Sequence, residues 1–427
     1  MTRLAELATR RTFRSLRVRN YRLFFFGQLV SVSGTWMQQV AQDWLVLRLS
    51  GRALPVGIAT ALQFLPVLLF GFWAGLAADR FDKRRLLVAA QSAMGALALV
   101  LGVLTATGSV RLWMVYVLAF LLGCGMAVDM PARQAFVVEL VGPDNLVNAV
   151  SLNSAMFNSA RVVGPAAAGV LISALGLAPA FFVNAVSYLA VIAALLAMDP
   201  ARLQRGSPVP RRPGQVRDGI RYVWTTPVLR STLLLVAVVG TLSLNSRVVL
   251  PLLARFTYHG DASLYGTLAS VMAIGSVVGA LAVARRARPT RRLLLGAATA
   301  FGLSASLAAV APSVGTELVA LCLLGATSIT FLATANSTLQ LGSSARMRGR
   351  VMALYGLLFL GTTPLGSLLV GWLAEHYGPR SGLVLAGAGA LAAVAVAALS
   401  DLRHGRRDAL DLPAGQPAIA DSSGEAA

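Results

Sequence analysis

The sequence predicts an all-α membrane protein with twelve transmembrane helices in two pseudo-symmetric six-helix halves. Three observations predict it. The first is composition: of 427 residues, 56% are hydrophobic and only 13% charged, where soluble domains carry roughly 25% charge, and the mean hydropathy is +0.71. The second is a series of twelve apolar runs, each long enough to cross a bilayer as a helix. The third is the segregation of basic residues into alternate loops.

The runs fall at 23–47, 54–78, 86–107, 112–132, 147–175 and 179–198, then at 229–254, 263–284, 293–312, 317–339, 351–374 and 382–400. Residues 1–22 read as a basic leader. It precedes a span too long for a signal segment and is expected to be retained. Residues 23–198 form the N-terminal half and 229–400 the C-terminal half. Between them, 199–228 is a Pro/Gly/Arg-rich linker, within which "GQVRDGIRYVW" is expected to form a short helix on the membrane surface. Residues 401–427 form a polar tail expected to be disordered. Twelve spans put both termini on one side. Thirty of the 37 basic residues fall on that side, five on the other, and Arg161 and Arg247 within spans. The positive-inside rule therefore expects both termini in the cytoplasm and the chain in the cytoplasmic membrane.

The halves share short patterns. "GFWAG" (71–75) corresponds to "GSVVG" (275–279), "FLLGCGM" to "CLLGATS", and "NAVSL" to "RVMAL". The shifts are 204, 202 and 202 residues. A near-constant shift indicates two related six-helix units, an architecture in which transporters place a site between repeats.

Several function classes are excluded. The net charge of +20 arises from residues between apolar runs, not from a soluble basic face, so no nucleic-acid partner is expected. Cys124 and Cys322 lie in apolar runs, where cysteine acts as a small hydrophobe. His259, His376 and His404 fall in loops or the tail, so no metal site and no cofactor are expected. The only lysine, Lys83, follows Asp82. No Gly-Lys-Ser/Thr is present to hold nucleotide phosphates, so transport is expected to run on an ion gradient, or downhill, unless a partner subunit supplies ATP. No enzymatic activity is expected.

"GLAADRFDKRR" (75–85) resembles the loop between helices 2 and 3 of the major facilitator superfamily, with Gly75, Asp79, Arg80, Lys83, Arg84 and Arg85 on its motif positions. Asp82 stands where the family often has Gly. "GTWMQQVAQDWLVLRLSGR", "DMPARQAFVVELV" and "NSARVVGPAAAG" together resemble the transmembrane secretion effector branch, which includes enterobactin-exporter-like proteins. The resemblance implies the major facilitator fold and alternating access. It further implies a gate at the 75–85 loop, whose charges would latch the two halves together. Gly164, Pro165 and Gly169 resemble the helix 5 Gly-Pro motif of proton-coupled exporters. The earlier glycines of that motif are Ser or Ala here, and a packing kink is the alternative reading.

A proton-coupled carrier needs an acid within the spans, since a carboxylate in low dielectric suits reversible protonation. Asp129, near the cytoplasmic end of helix 4, is the first candidate. Asp43, near the outer end of helix 1, is the second. Glu317 opens helix 10 at the interface. Arg161, mid-span in helix 5, has three open readings: it pairs with Asp129, aided by Asn158; it binds an anionic substrate group while Arg133 pairs with Asp129 one turn away; or it belongs to a fixed structural network. Polar residues in apolar spans sketch a cavity: Trp36, Gln38, Gln39, Gln42, Gln63, Asn245 and Arg247. Gln38/Gln42 and Gln39/Asp43 share different faces of helix 1, so the two pairs cannot both line it. The expectation is a monomer in the lipid bilayer that exports a small organic molecule, drug-like or a siderophore, against protons. An importer, or a non-transporting receptor or scaffold of the same fold, is the alternative.

Overall fold

The computed structural model describes residues 13–204, 215–243, 245–284, 289–344 and 347–403. The leader before residue 13, most of the Pro/Gly/Arg-rich linker and the tail after 403 lie outside the described residues.

The described residues form twelve spanning helices: α1 (Arg19–Ser50), α2 (Leu54–Arg80), α3 (Lys83–Ala106), α4 (112–141), α5 (143–175), α6 (Ala178–Leu196), α7 (Pro227–Thr257), α8 (Ala262–Ala284), α9 (Arg291–Ala309), α10 (Val314–Leu341), α11 (Arg348–Tyr377) and α12 (Ser381–Arg403). Ten helical stretches are apolar and long enough to span. One of them, Leu112–Leu175, is two passes in succession. It bends at Gly142, whose φ of 68° and ψ of 177° break the helix ahead of Pro143; a side chain is strained at such a φ. The twelfth span, α1, runs for 32 residues. Its glutamines and serines lower its hydropathy, and Gln28, Ser31, Gln38 and Gln42 are buried within the protein.

Local chemistry sets the ends. Gly51, at φ 64°, terminates α1 in the left-handed cap favoured by glycine. Asp82, in the family's usual Gly position, caps α3 by accepting the Arg85 N–H at 3.0 Å. Helix α7 is not the continuous span that the sequence predicts. It breaks around residue 245 into Pro227–Ser243 and Ser246–Leu252, followed by a π turn over Leu253–Thr257. Helix α11 breaks similarly at Gly361–Thr362.

The linker helix, Gln215–Thr225, docks on the C-terminal half. Val223 packs with Leu229, Leu339 and Val351, and Tyr222 Oη accepts the Ser344 N–H at 3.2 Å. At the other end, the turn Arg14–Arg17 is held to α5: Asn148 Oδ1 accepts the Ser15 N–H at 2.9 Å.

The two halves meet mainly through α2 on α11 and α5 on α8. The side holding the α1–α2, α5–α6 and α7–α8 turns is here called distal, and the opposite one terminal. Helices α2 and α11 touch where Gly57 faces Ser367 and Gly371. Helices α5 and α8 touch where Gly169 faces Ser263 and Gly266 faces Pro165. Ser270 Oγ donates to the Val162 carbonyl at 2.9 Å. These joins run from the distal rim to mid-depth. Small residues permit such approach, and packing drives it where lipid leaves little hydrophobic incentive.

Candidate functional site

The joined region holds a buried polar network that crosses the halves. Asp43 on α1 is 1% exposed. Its Oδ2 accepts the Tyr265 hydroxyl of α8 at 2.9 Å, and its Oδ1 lies 3.2 Å from Arg247 Nη2 of α7. Both terminal nitrogens of Arg247 donate to Gln63 Oε1 of α2 at 3.3 Å. Gln42 Nε2 donates to the same oxygen at 3.4 Å, and Gln63 Nε2 reaches Met126 Sδ at 3.6 Å. Arg247 also lies 5.9 Å from the Phe64 ring centroid. The break in α7 places Arg247 in the first turn of its own short helix, Ser246–Leu252. Buried ion pairs are costly to desolvate and persist where further hydrogen bonds satisfy them; here Tyr265 and Gln63 supply those bonds.

A second network stays inside the N-terminal half. Asp129 Oδ2 lies 3.0 Å from Arg133 Nη2, and Asp129 Oδ1 accepts Gln91 Nε2 of α3 at 2.7 Å. Arg133 Nη1 donates to Gln28 Oε1 of α1 at 3.2 Å. Asp129, the first coupling candidate in sequence, thus joins α1, α3 and α4 and does not touch the other half through these bonds.

Among the described residues, no carboxylate pairs with Arg161. Its guanidinium lies 5.8 Å from the Trp36 ring centroid, and Trp36 meets Phe157 edge-on at 5.7 Å. The expected Asp129–Arg161 pair is therefore absent here, because Arg133, one turn away on the same helix, takes the carboxylate. Asn158 turns back on its own helix, donating to the Ser154 carbonyl at 2.8 Å.

The remaining expected residues divide. Gln42, Gln63 and Arg247 meet at the first network. Gln38 does not face a cavity: its Oε1 accepts Asn184 Nδ2 of α6 at 2.6 Å, both residues buried. Gln39 follows the Asp43 face, and its buried Oε1 has no partner. Asn245 marks the α7 break, donating to the Thr241 carbonyl at 2.8 Å beside Gly366 of α11. Gly164 backs onto Trp36 and Gly169 onto Ser263, so the Gly-Pro segment is the surface by which α5 packs on α1 and α8.

In the 75–85 loop, Lys83 Nζ pairs with Glu139 of α4 at 2.7 Å. Arg84 donates to the Leu195 and Leu196 carbonyls at 2.6 and 2.9 Å. Arg80 is exposed, Gly75 has open space at its Cβ position, and the Asp79 side chain lies outside the described residues. Lys83 and Arg84 hold the loop to its own half, not across the halves as a latch would.

Sequence reasoning missed Tyr265, Gln91, Glu139 and Glu375. Glu317, in the first turn of α10, is fully buried within the protein and accepts the Tyr258 hydroxyl at 3.1 Å. One signal for the central pair was present: Asp43 and Arg247 are 204 positions apart, a shift that also relates the two halves. Equivalent positions on α1 and α7 meet near the pseudo-twofold axis.

A family model described as "Transmembrane secretion effector" matches residues 10–420. The "Multidrug efflux pump Tap" of Mycolicibacterium fortuitum is 32% identical over 380 residues, covering 83% of this chain and 89% of that protein. The "Staphyloferrin A transporter" of Staphylococcus aureus is 26% identical, covering 83% and 89%. The "Macrolide efflux protein A" of Streptococcus pyogenes is 24% identical, covering 86% and 93%. Among solved structures, a bacterial homolog of the human lysosomal transporter Spinster, inward-facing and unoccupied, superposes with a TM-score of 0.71. It has 16% identity and covers 91% of this chain and 98% of that one. That likeness concerns the fold alone.

Proposed function

Because the chain belongs to the transmembrane secretion effector family of major facilitator transporters, we propose that it exports a small organic molecule across the cell membrane, by alternating access and against protons. The observation that carries the proton step is the Asp43–Arg247–Tyr265 join between the halves. The distribution of basic residues supports cytoplasmic termini. On that orientation the joined distal side faces outward, and substrate enters from the terminal side.

The coupling acid is then Asp43, not Asp129. Opening the distal side draws α7 and α8 away from α1 and strips Asp43 of Arg247 and Tyr265. A carboxylate left alone in low dielectric is neutralised by a proton from the outer solution. Closing the distal side returns Arg247, whose positive charge displaces that proton toward the open cytoplasmic side. One proton enters as one substrate leaves. Asp129, bonded to Arg133 and Gln91 within one half, holds α3 and α4 together through the cycle.

The test is accumulation in an efflux-deficient bacterial host, at matched membrane levels, for the wild type, Asp43→Asn and Asp129→Asn. Lipophilic cations, neutral antibiotics and iron chelators form the panel, each with and without a protonophore. The wild type lowers accumulation of at least one compound, and both the protonophore and Asp43→Asn abolish the effect. Loss in Asp129→Asn with normal export in Asp43→Asn would return the coupling role to Asp129. Raised accumulation would make the protein an importer.

A further inference from the structure

Arg161 stands mid-way along α5 with no carboxylate partner among the described residues, a position that within a membrane costs at least a few kcal/mol unless something meets it. Its place on α5 shows what it faces. Residues 157, 161, 164 and 165 follow one helical face. On that face Phe157 and Gly164 touch Trp36 of α1, and Pro165 touches Gly266 of α8. Arg161 therefore projects into the crevice between α1 and α8. The Asp43–Tyr265 hydrogen bond closes that crevice on the distal side. Trp36 lies seven residues from Asp43, about 10 Å along the helix, so Arg161 sits beneath the closed join, toward the terminal side.

The guanidinium is also unspent. It makes no hydrogen bond among the described residues. Arg247 Nε and Arg380 Nε are sealed without partners, but none of the Arg161 nitrogens is. Arg161 thus keeps its N–H donors partly accessible beside the half-buried Trp36 and Phe157, which is 44% exposed. The nearby charges are already balanced: Asp43 against Arg247, and Asp129 against Arg133. Among the described residues, that leaves the Arg161 charge without an acidic partner.

We infer that Arg161, Trp36 and Phe157 form a substrate subsite for an anionic group carried on a planar or aromatic body. A carboxylate, sulfonate or similar oxyanion suits the planar fork bidentately, and the two rings offer stacking and edge contacts to the attached body. The inference rests on the export reading, since it names the substrate class of that same crevice. It also accounts for the unpaired arginine: the counter-charge is the cargo.

The test is equilibrium binding to the full chain in lipid nanodiscs, with two probes of similar ring and opposite charge, 1-naphthoate and 1-naphthylmethylammonium. The naphthoate binds saturably and more tightly than the ammonium. Arg161→Gln weakens naphthoate binding by roughly ten- to a hundredfold, the worth of charged hydrogen bonds, and leaves the ammonium unaffected. Arg161→Lys, with charge but no fork, falls between. The thermal midpoint of unliganded Arg161→Gln stays near that of the wild type, because the change removes no ion pair or hydrogen bond among the described residues. Equal binding of the two probes would overturn the inference, as would undiminished naphthoate binding in Arg161→Gln. No saturable naphthoate binding up to millimolar concentration would do so too. A marked loss of thermal stability in both variants would make Arg161 structural. Binding needs no proton gradient, so anion preference without export in cells would sink the export reading alone, and export without anion preference would sink this inference alone.

Discussion

The carboxylate of Glu375, at the end of α11, accepts the backbone N–H groups of Ala53 and Leu54 at the start of α2, at 2.8 and 3.0 Å. Arg52 pairs with the same carboxylate. One half thus caps a helix of the other, satisfying N–H groups that α2 leaves open at its first turn. The cap exists only while the distal rim is closed. Glu375→Ala is expected to favour the distal-open state by an order of magnitude or more, since charged hydrogen bonds contribute about 1.5–3 kcal/mol. Spin-label distances across the distal rim check this; an unchanged distribution would show that the cap does not hold the rim.

Arg247→Gln is expected to cost about 3–5 kcal/mol, because it strands the buried Asp43 carboxylate. Adding Asp43→Asn should restore most of the thermal stability but not the proton-driven export. Tyr265→Phe removes one hydrogen bond and should cost about 1 kcal/mol. Thermal unfolding of the four proteins in nanodiscs measures the cycle. Equal losses in the single and double variants would break the proposed pairing.

Exchange of charges separates the partners of Asp129. Asp129→Arg with Arg133→Asp should recover part of the membrane level lost in either single variant. Asp129→Arg with Arg161→Asp should recover none, because Arg161 faces Trp36. Quantitative immunoblots of membranes give the comparison, and recovery in the second pair would contradict this geometry.

A Cβ at Gly57 would strike the Ser367 carbonyl, and one at Gly266 the Pro165 carbonyl. Gly57→Leu and Gly266→Leu are therefore expected to hold the distal side apart and abolish export at normal membrane levels. Gly240→Ala is the control, since its nearest neighbour lies at 3.7 Å. Export assays alongside the rim distances test all three, and normal export in both leucine variants would mean that the contacts are not needed for closure.

The spans were legible because a bilayer imposes one strong rule: backbone polar groups must be satisfied within the helix. Even α1, with its glutamines, was recoverable from length and from the charge pattern around it. The Asp129–Arg133 pair was among the sequence alternatives, since four-residue spacing places two side chains on one face. The α7 break was not legible, because neither glycine nor proline marks residues 243–246. Gln38 was misplaced for a related reason. Polarity shows that a side chain needs a partner, but not whether the partner is a substrate or Asn184 on a neighbouring helix.

The sequence by itself determined twelve crossings, the two related halves, the family and the short list of charges within the spans. These follow from local hydropathy, repeat spacing and motif, none of which requires knowing what lies across the bundle. Only the tertiary structure decided that Asp43 meets Arg247 and Tyr265, that Lys83 turns to Glu139, and that Arg161 lies over Trp36 with no carboxylate partner among the described residues. Those outcomes depend on the approach of helices far apart in sequence. Hydrogen bonds and ion pairs act over a few ångströms, so the packing selects which of several eligible partners each charge receives.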